Sequence, residues 1–297
     1  MKTTINFKVE IVVILIAIIS AVAAAFGIFS DYGPGVFEYE SIRGATIEIY
    51  GRGLYEHMSA DVAIQGIAQD YITLFIAIPL MLISLIGYCK KSVRAHFVLA
   101  GTLSYFLVTY LFYTAMGMYN LMFLPYASLL GLSFFGVFLT LKQLSNLNII
   151  EVFFAKTPTK FVGWFLIINS ISIALLWLSI VVPPLIDGSI YPPELNHYTT
   201  LIVQGFDLGL LLPISLIVGM LLIAKKPEGY IFATTYIIFL ALLMTALTAK
   251  IIAMAVNEVN VIPVIIIIPT INIITIISAF MMVKNIKKSL HKSLSKI

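Results

Sequence analysis

The chain has 297 residues, 61% of them hydrophobic and 11% charged, where an ordinary soluble domain is about 25% charged. Its mean hydropathy is +1.05. A soluble enzyme, a disordered tail and a disulfide-stapled secreted domain are thereby excluded, and the lipid bilayer is the partner this composition demands.

Eight apolar segments run at about 10–28, 67–88, 95–117, 119–141, 161–185, 201–224, 229–256 and 261–283. Each is long enough to span a bilayer at roughly 20 residues per helix. A helix satisfies its backbone without closing into a barrel, and these runs lack the alternation of barrel strands. The expectation is an all-α integral membrane protein with eight transmembrane helices. The first segment follows Lys2 and Lys8, and Ala23-Ala24-Ala25 has the small residues of a signal cleavage site. Its length favours a retained span.

The loop 29–66 is the only sizeable region outside the spans. Val36 to Glu40 and Thr46 to Tyr50 alternate apolar and polar residues around Arg43-Gly44, which predicts a small extracellular hairpin cap. Tyr39, Ile47, Ile49 and Tyr55 are its expected apolar anchors. Ser59 is placed as an N-cap, so the second helix is expected to start near residue 60.

Fifteen of the 18 Lys and Arg residues fall on one side if the N-terminus is cytoplasmic. Among them are Lys90, Lys91, Arg94, Lys225, Lys226 and the tail lysines Lys288, Lys292 and Lys296. The carboxylates Asp31, Glu38, Glu40, Glu48, Glu56, Asp61, Asp187, Glu194 and Glu258 fall on the other. The positive-inside rule then places both termini in the cytoplasm of a cell whose plasma membrane holds the protein.

Gln65-Gly66, Asp70, Pro79 and Lys90-Lys91 in the second helix find an echo in Gln204-Gly205, Asp207, Pro213 and Lys225-Lys226 in the sixth. Two parallel four-helix repeats would follow, at 1–144 with the outer loop and at 145–297 with the basic tail. An axis along the membrane normal would relate them. The bland alternative is that any helix entering from outside starts polar and ends in lysines.

Polar residues inside spans are costly and are the best guide to a site. Asp61, Gln65, Gln69 and Thr73 share one helix face, with Asp70 about 100° around. Thr102, Tyr105, Thr109 and Tyr113 share a face of the third helix. With Asn120, Asp207 and Lys250 they give the ligand-pocket candidates Gln65, Gln69, Asp70, Tyr105, Tyr113, Asn120, Asp207 and Lys250, all in the outer half. The bland readings are interfacial tyrosines and solvated glutamines. Asp207 and Lys250 lie at matched depth, roughly 10 Å below their helix ends, and are expected to pair, structurally or as a ligand, ion or proton site. Arg52, His57 and Asp61 are outer-loop candidates for an acid–base group, with solvated charges as the bland reading. Gly205 and Gly209 are expected to allow close helix packing, and Pro79, Pro213 and Pro269 to interrupt their helices.

Cys89 is the sole cysteine, so one chain builds no disulfide, cysteine zinc site or iron–sulfur cluster. His57, His96, His197 and His291 avoid the centres of the spans, against a buried bis-histidine haem. HExxH, GxSxG and Walker signatures are absent. No cofactor, metal or nucleic acid is expected, and no catalytic residue is assigned.

Glu48-Ile49-Tyr50-Gly51-Arg52-Gly53-Leu54-Tyr55, Ser59, Ala68-Gln69-Asp70, Pro79-Leu80-Met81-Leu82, Asn120-Leu121-Met122-Phe123-Leu124-Pro125-Tyr126 and Leu132-Ser133-Phe134 together resemble a widespread family of uncharacterised prokaryotic multi-pass membrane proteins. Phe206-Asp207-Leu208-Gly209 through Pro213, and Lys226-Pro227-Glu228-Gly229-Tyr230, resemble that family's second half. The resemblance covers about two thirds of the chain and implies no activity. The expectation from the residues is an outward-facing polar pocket that binds or transports a small molecule. The alternatives are a membrane-embedded enzyme acting on a lipid or isoprenoid, and an accessory subunit of a larger complex.

Overall fold

A computed structural model describes residues 8–287. The expected basic tail from Lys288 onward, and Lys2, lie outside the described residues. Among the described residues, eight helices are long and apolar enough to cross a membrane: α1 (Val9–Phe29), α2 (Ala60–Cys89), α3 (Val93–Ala115), α4 (Phe123–Ser145), α5 (Thr159–Asp187), α6 (Ile202–Ile223), α7 (Pro227–Val256) and α8 (Val264–Lys284). The protein is an all-α multi-pass membrane protein.

α3 and α7 form the centre. α3 packs against α2, α4 and α7, while α7 packs against α2, α3, α6 and α8. α1 lies on α2 and α4, and α5 packs chiefly on α6. Lipid tails are as apolar as leucine, so close approach rather than hydrophobic contrast holds such helices together. Gly101 of α3 lies against Ile238 and the Thr235 carbonyl of α7, and Gly163 of α5 and Gly219 of α6 face each other's carbonyls. The expected close packing at Gly205 and Gly209 is not found. Nothing lies within 4 Å of either position, because α6 buries the face carrying Leu212, Ser215, Gly219 and Leu222 instead.

Two of the three predicted proline interruptions take one form. α2 widens into a π-turn at Thr73–Ala77 just before Pro79, and α6 does so at Asp207–Leu211 just before Pro213. Proline clashes with the carbonyl four residues back, and a π-turn relieves that clash by shifting the hydrogen bonds to five-residue spacing. Pro269 sits inside an α8 that stays α-helical throughout. The two hairpins that follow also match. Lys91 and Lys225 both adopt left-handed backbone, with φ 58° and 54°. The Ser92 amide donates to the Gly87 carbonyl at 3.0 Å, and the Lys226 amide to the Leu221 carbonyl at 3.1 Å. One constant offset along the chain relates every one of these pairs, and also relates the first residues of α3 and α7, Val93 and Pro227.

At one face the predicted hairpin forms. β1 (Phe37–Glu40) pairs antiparallel with β2 (Thr46–Ile49), Phe37 opposite Ile49 and Glu40 opposite Thr46. Gly44 turns the chain at φ 78°. Ile47, Ile49 and Tyr55 are buried, as anchors should be, whereas Tyr39 is 43% exposed; all of β1 faces outward, and the Tyr39 ring meets only the His197 ring edge at 6.0 Å. Helix α2 starts at Ala60, but the Ser59 hydroxyl does not cap it. It meets the Tyr198 hydroxyl at 3.2 Å. Burial raises the Tyr198 hydroxyl above its usual value, so Tyr198 stays neutral there.

Two arginines join the halves of the chain. On the capped face, Arg43 donates to the carbonyls of Asn196 at 3.2 Å and Tyr198 at 3.0 Å. On the opposite, lysine-rich face, Arg94 donates to those of Ile286 at 2.7 Å and Lys284 at 2.9 Å.

Candidate functional site

Three elements bring polar groups together inside the membrane-spanning region. The chain entering α2 supplies Tyr55, α2 supplies Gln69, Asp70 and Thr73, and α3 supplies Tyr105, Thr109 and Tyr113. Asp70 is 3% exposed. The Tyr55 hydroxyl donates to Asp70 Oδ2 at 2.6 Å, and the Tyr113 hydroxyl to Oδ1 at 3.1 Å. Tyr113 also lies 3.2 Å from the Gly66 carbonyl, so two acceptors share its one proton, and its oxygen lies 3.3 Å from the Tyr55 hydroxyl. Hydrogen bonds to a charged group contribute about 1.5–3 kcal/mol each, which offsets part of the cost of burying a carboxylate.

A closed ring of hydrogen bonds lies one helical turn deeper. Gln69 Nε2 donates to the Tyr105 hydroxyl at 2.7 Å and to Thr109 Oγ1 at 3.3 Å. The Thr73 hydroxyl donates to the Gln69 carbonyl at 2.9 Å, which leaves Tyr105 to donate to Thr73, also at 2.9 Å. Tyr110, Tyr113 and Tyr126 stack edge and face beside Asp70, with ring centroids 5.1–5.9 Å apart. The Tyr126 hydroxyl is buried without a partner. Gly27 of α1 closes the cage, since a side chain there would strike the Asp70 carboxylate.

Lys250 of α7 is half-buried. Among the described residues it makes no ion pair with Asp70 or Asp207 and no side-chain hydrogen bond. The expected Asp207–Lys250 pair is therefore corrected. Asp207 accepts from Trp177 Nε1 of α5 at 2.8 Å, in a separate network. Matched depth sets height in the membrane and says nothing of direction around the helix, and α7 packs on α2 as well as on α6.

The remaining candidates lie apart. Gln65 donates to the Asp61 carbonyl at 3.3 Å. Asn120 accepts from the Met122 amide at 2.9 Å and donates to the Met118 carbonyl, a local turn before α4. Arg52 is exposed, and His57 lies 3.2 Å from Glu56 rather than beside Arg52 or Asp61. Asp61 lines a cavity of about 400 Å³ on the capped face, with Glu194, Asn196, Gln204, Met116 and Ile202. Polar groups are not confined to that half. A cavity of about 250 Å³ at the lysine-rich end is lined by Glu10, Tyr88, His96 and Gln143, with Tyr88 donating to Gln143 at 2.9 Å.

Tyr55 carries the shortest bond to Asp70 but reads in the sequence as an apolar loop anchor. Trp177 and Gly27 carry no signal beyond their type in an apolar run. The chain matches no family model, no curated protein and no solved structure.

Proposed function

We propose that this protein binds a small polar solute at its capped face and moves it into or across the membrane. The capped face is the extracytoplasmic one and both termini are cytoplasmic, the arrangement that the lysine distribution favours. The observation that carries the reading is Asp70. It is a buried carboxyl group in a membrane span, held by two tyrosine hydroxyls. Ionisable groups are kept in spans chiefly for function, and among the described residues Asp70 has no cation at ion-pair distance. The unpartnered Tyr126 hydroxyl beside it supplies a free polar contact for a ligand.

The common register of the π-turns, hairpins and helix starts supports two four-helix units in parallel orientation, α1–α4 and α5–α8. The α3–α7 crossing supports it too, because Gly101 there meets Thr235, its own counterpart under the same offset. A pseudo-twofold axis along the membrane normal gives such self-meeting contacts. Catalysis by paired acids on facing helices is less favoured, since Asp70 and Asp207 belong to separate networks.

The test is a thermal-shift panel of amino acids, polyols, nucleosides and polyamines on the full chain in detergent, native against Asp70→Asn. At least one solute should stabilise the native chain and fail to stabilise the variant. Equal shifts in both, or none in the native chain, would overturn the reading.

A further inference from the structure

The capped-face cavity has a definite chemistry. Asp61 comes from the start of α2, Glu194 and Asn196 from the α5–α6 connection, and Gln204 from α6. Among the described residues, none of these four side chains makes a hydrogen bond or an ion pair. Four sets of oxygens are thus uncommitted in one concavity, two of them carboxylates, and no Lys, Arg or His lines it. Apart from Tyr198 and Thr200, the rest of the wall is apolar, including Met116, Ile202 and Val203. A bare metal ion needs neither that apolar wall nor about 400 Å³ of space.

The surroundings agree in sign. The segments joining the spans on this face, with the first turn of α2, carry Asp31, Glu38, Glu40, Glu48, Glu56, Asp61, Glu194 and Glu258. They carry two arginines, of which Arg43 keeps its charge while the Asn196 and Tyr198 carbonyls and the Tyr191 ring hold it in place, and the carboxylates outnumber them. A concave site on a surface of one sign concentrates ions of the other. Below the cavity, one turn down α3 from Met116, lies Tyr113, which binds Asp70. Gln204 occupies in α6 the position that Asp70 holds in α2, three residues before the π-turn.

We propose that this cavity selects an organic cation, an alkylammonium with an apolar body. Its nitrogen is balanced by Asp61 and Glu194, Asn196 and Gln204 contribute oxygens, and its carbon skeleton rests on Met116 and Ile202. The proposal rests on the solute-binding reading and names the class of solute.

Calorimetry on the full chain in detergent tests it with choline and its neutral isostere 3,3-dimethylbutan-1-ol, which share a shape and differ in charge. Choline should bind, and the alcohol about tenfold more weakly or not at all. Asp61→Asn and Glu194→Gln should each weaken choline by about tenfold, because each removes a negative charge from beside a quaternary nitrogen that is held by charge attraction and not by a hydrogen bond. Both positions are partly or fully exposed, so the variants should fold, and Glu194→Lys should abolish binding. Equal affinity for the two isosteres, or no binding of choline, would overturn the assignment. Calcium chloride stabilising the chain through the same two carboxylates would overturn it in favour of a metal ion. If neutral or anionic solutes bind in an Asp70-dependent way while choline does not, the solute reading stands and the cation assignment falls.

Discussion

Asp70 and its tyrosines set the terms at the scale of single residues. Tyr55 donates at 2.6 Å and Tyr113 at 3.1 Å while sharing its proton. Tyr55→Phe should therefore destabilise more than Tyr113→Phe, the larger loss on the order of 2 kcal/mol; melting in detergent with both variants beside the native chain checks the order. Gly27→Ala should be worse tolerated than alanine at Gly131, because a methyl at Gly27 meets the Asp70 carboxylate and one at Gly131 meets open space. Asp207 offers a sharper comparison. In double-mutant cycles, Asp207→Asn and Trp177→Phe should couple, since their side chains share a hydrogen bond. Asp207→Asn and Lys250→Met should add to within about 0.5 kcal/mol. Strong coupling of the second pair would restore the contact that matched depth led us to expect.

Among the elements, the two hairpins at the lysine-rich face solve one problem in mirrored ways. At the first crossing Gly87 faces Ala95, and at the second Leu221 faces Gly229. Each turn tolerates one bulky partner at most, and the glycine sits on the first helix of one hairpin and the second helix of the other. Gly87→Ala should cost about 1–3 kcal/mol by overpacking, and Ala95→Gly in the same chain should recover part of it. Gly229→Ala should find no such rescue, because it meets Leu221 backbone rather than side chain.

These elements also show what a sequence can carry. Eight spans and the hairpin were legible because hydropathy and alternation are local properties, readable within a window of residues. That Gln69 and Thr73 share one helix face, and Tyr105 and Thr109 a face of the next helix, was legible for the same reason, since it needs only helical spacing. The partner of Asp207 was not, because rotation about a helix axis is decided by packing. Nor was the emptiness at Gly205 and Gly209, where a small-residue stripe turns away from every neighbour. Tyr55 was hidden by its place in a loop, whose return toward α2 depends on Gly51 and Gly53 at positive φ.

For the whole molecule, orientation is the first thing to check. Cysteines introduced at Glu40 and Glu194, in a Cys89→Ser chain, should react with an impermeant thiol reagent on intact cells. Native Cys89, exposed at the lysine-rich end, should react only after permeabilisation. The reverse pattern would invert the protein.

Arg43 and Arg94 bear on the same scale. Each reaches from the first half of the chain to backbone carbonyls of the second, one at either membrane face. The seam between the halves is therefore clasped at both ends and nowhere pinned by a salt bridge along its described length. Beside Arg43, the Ser59–Tyr198 and His197–His57 hydrogen bonds join the same halves at the capped face. The carbonyls that both arginines hold are neutral, so breaking either clasp strands no counter-charge.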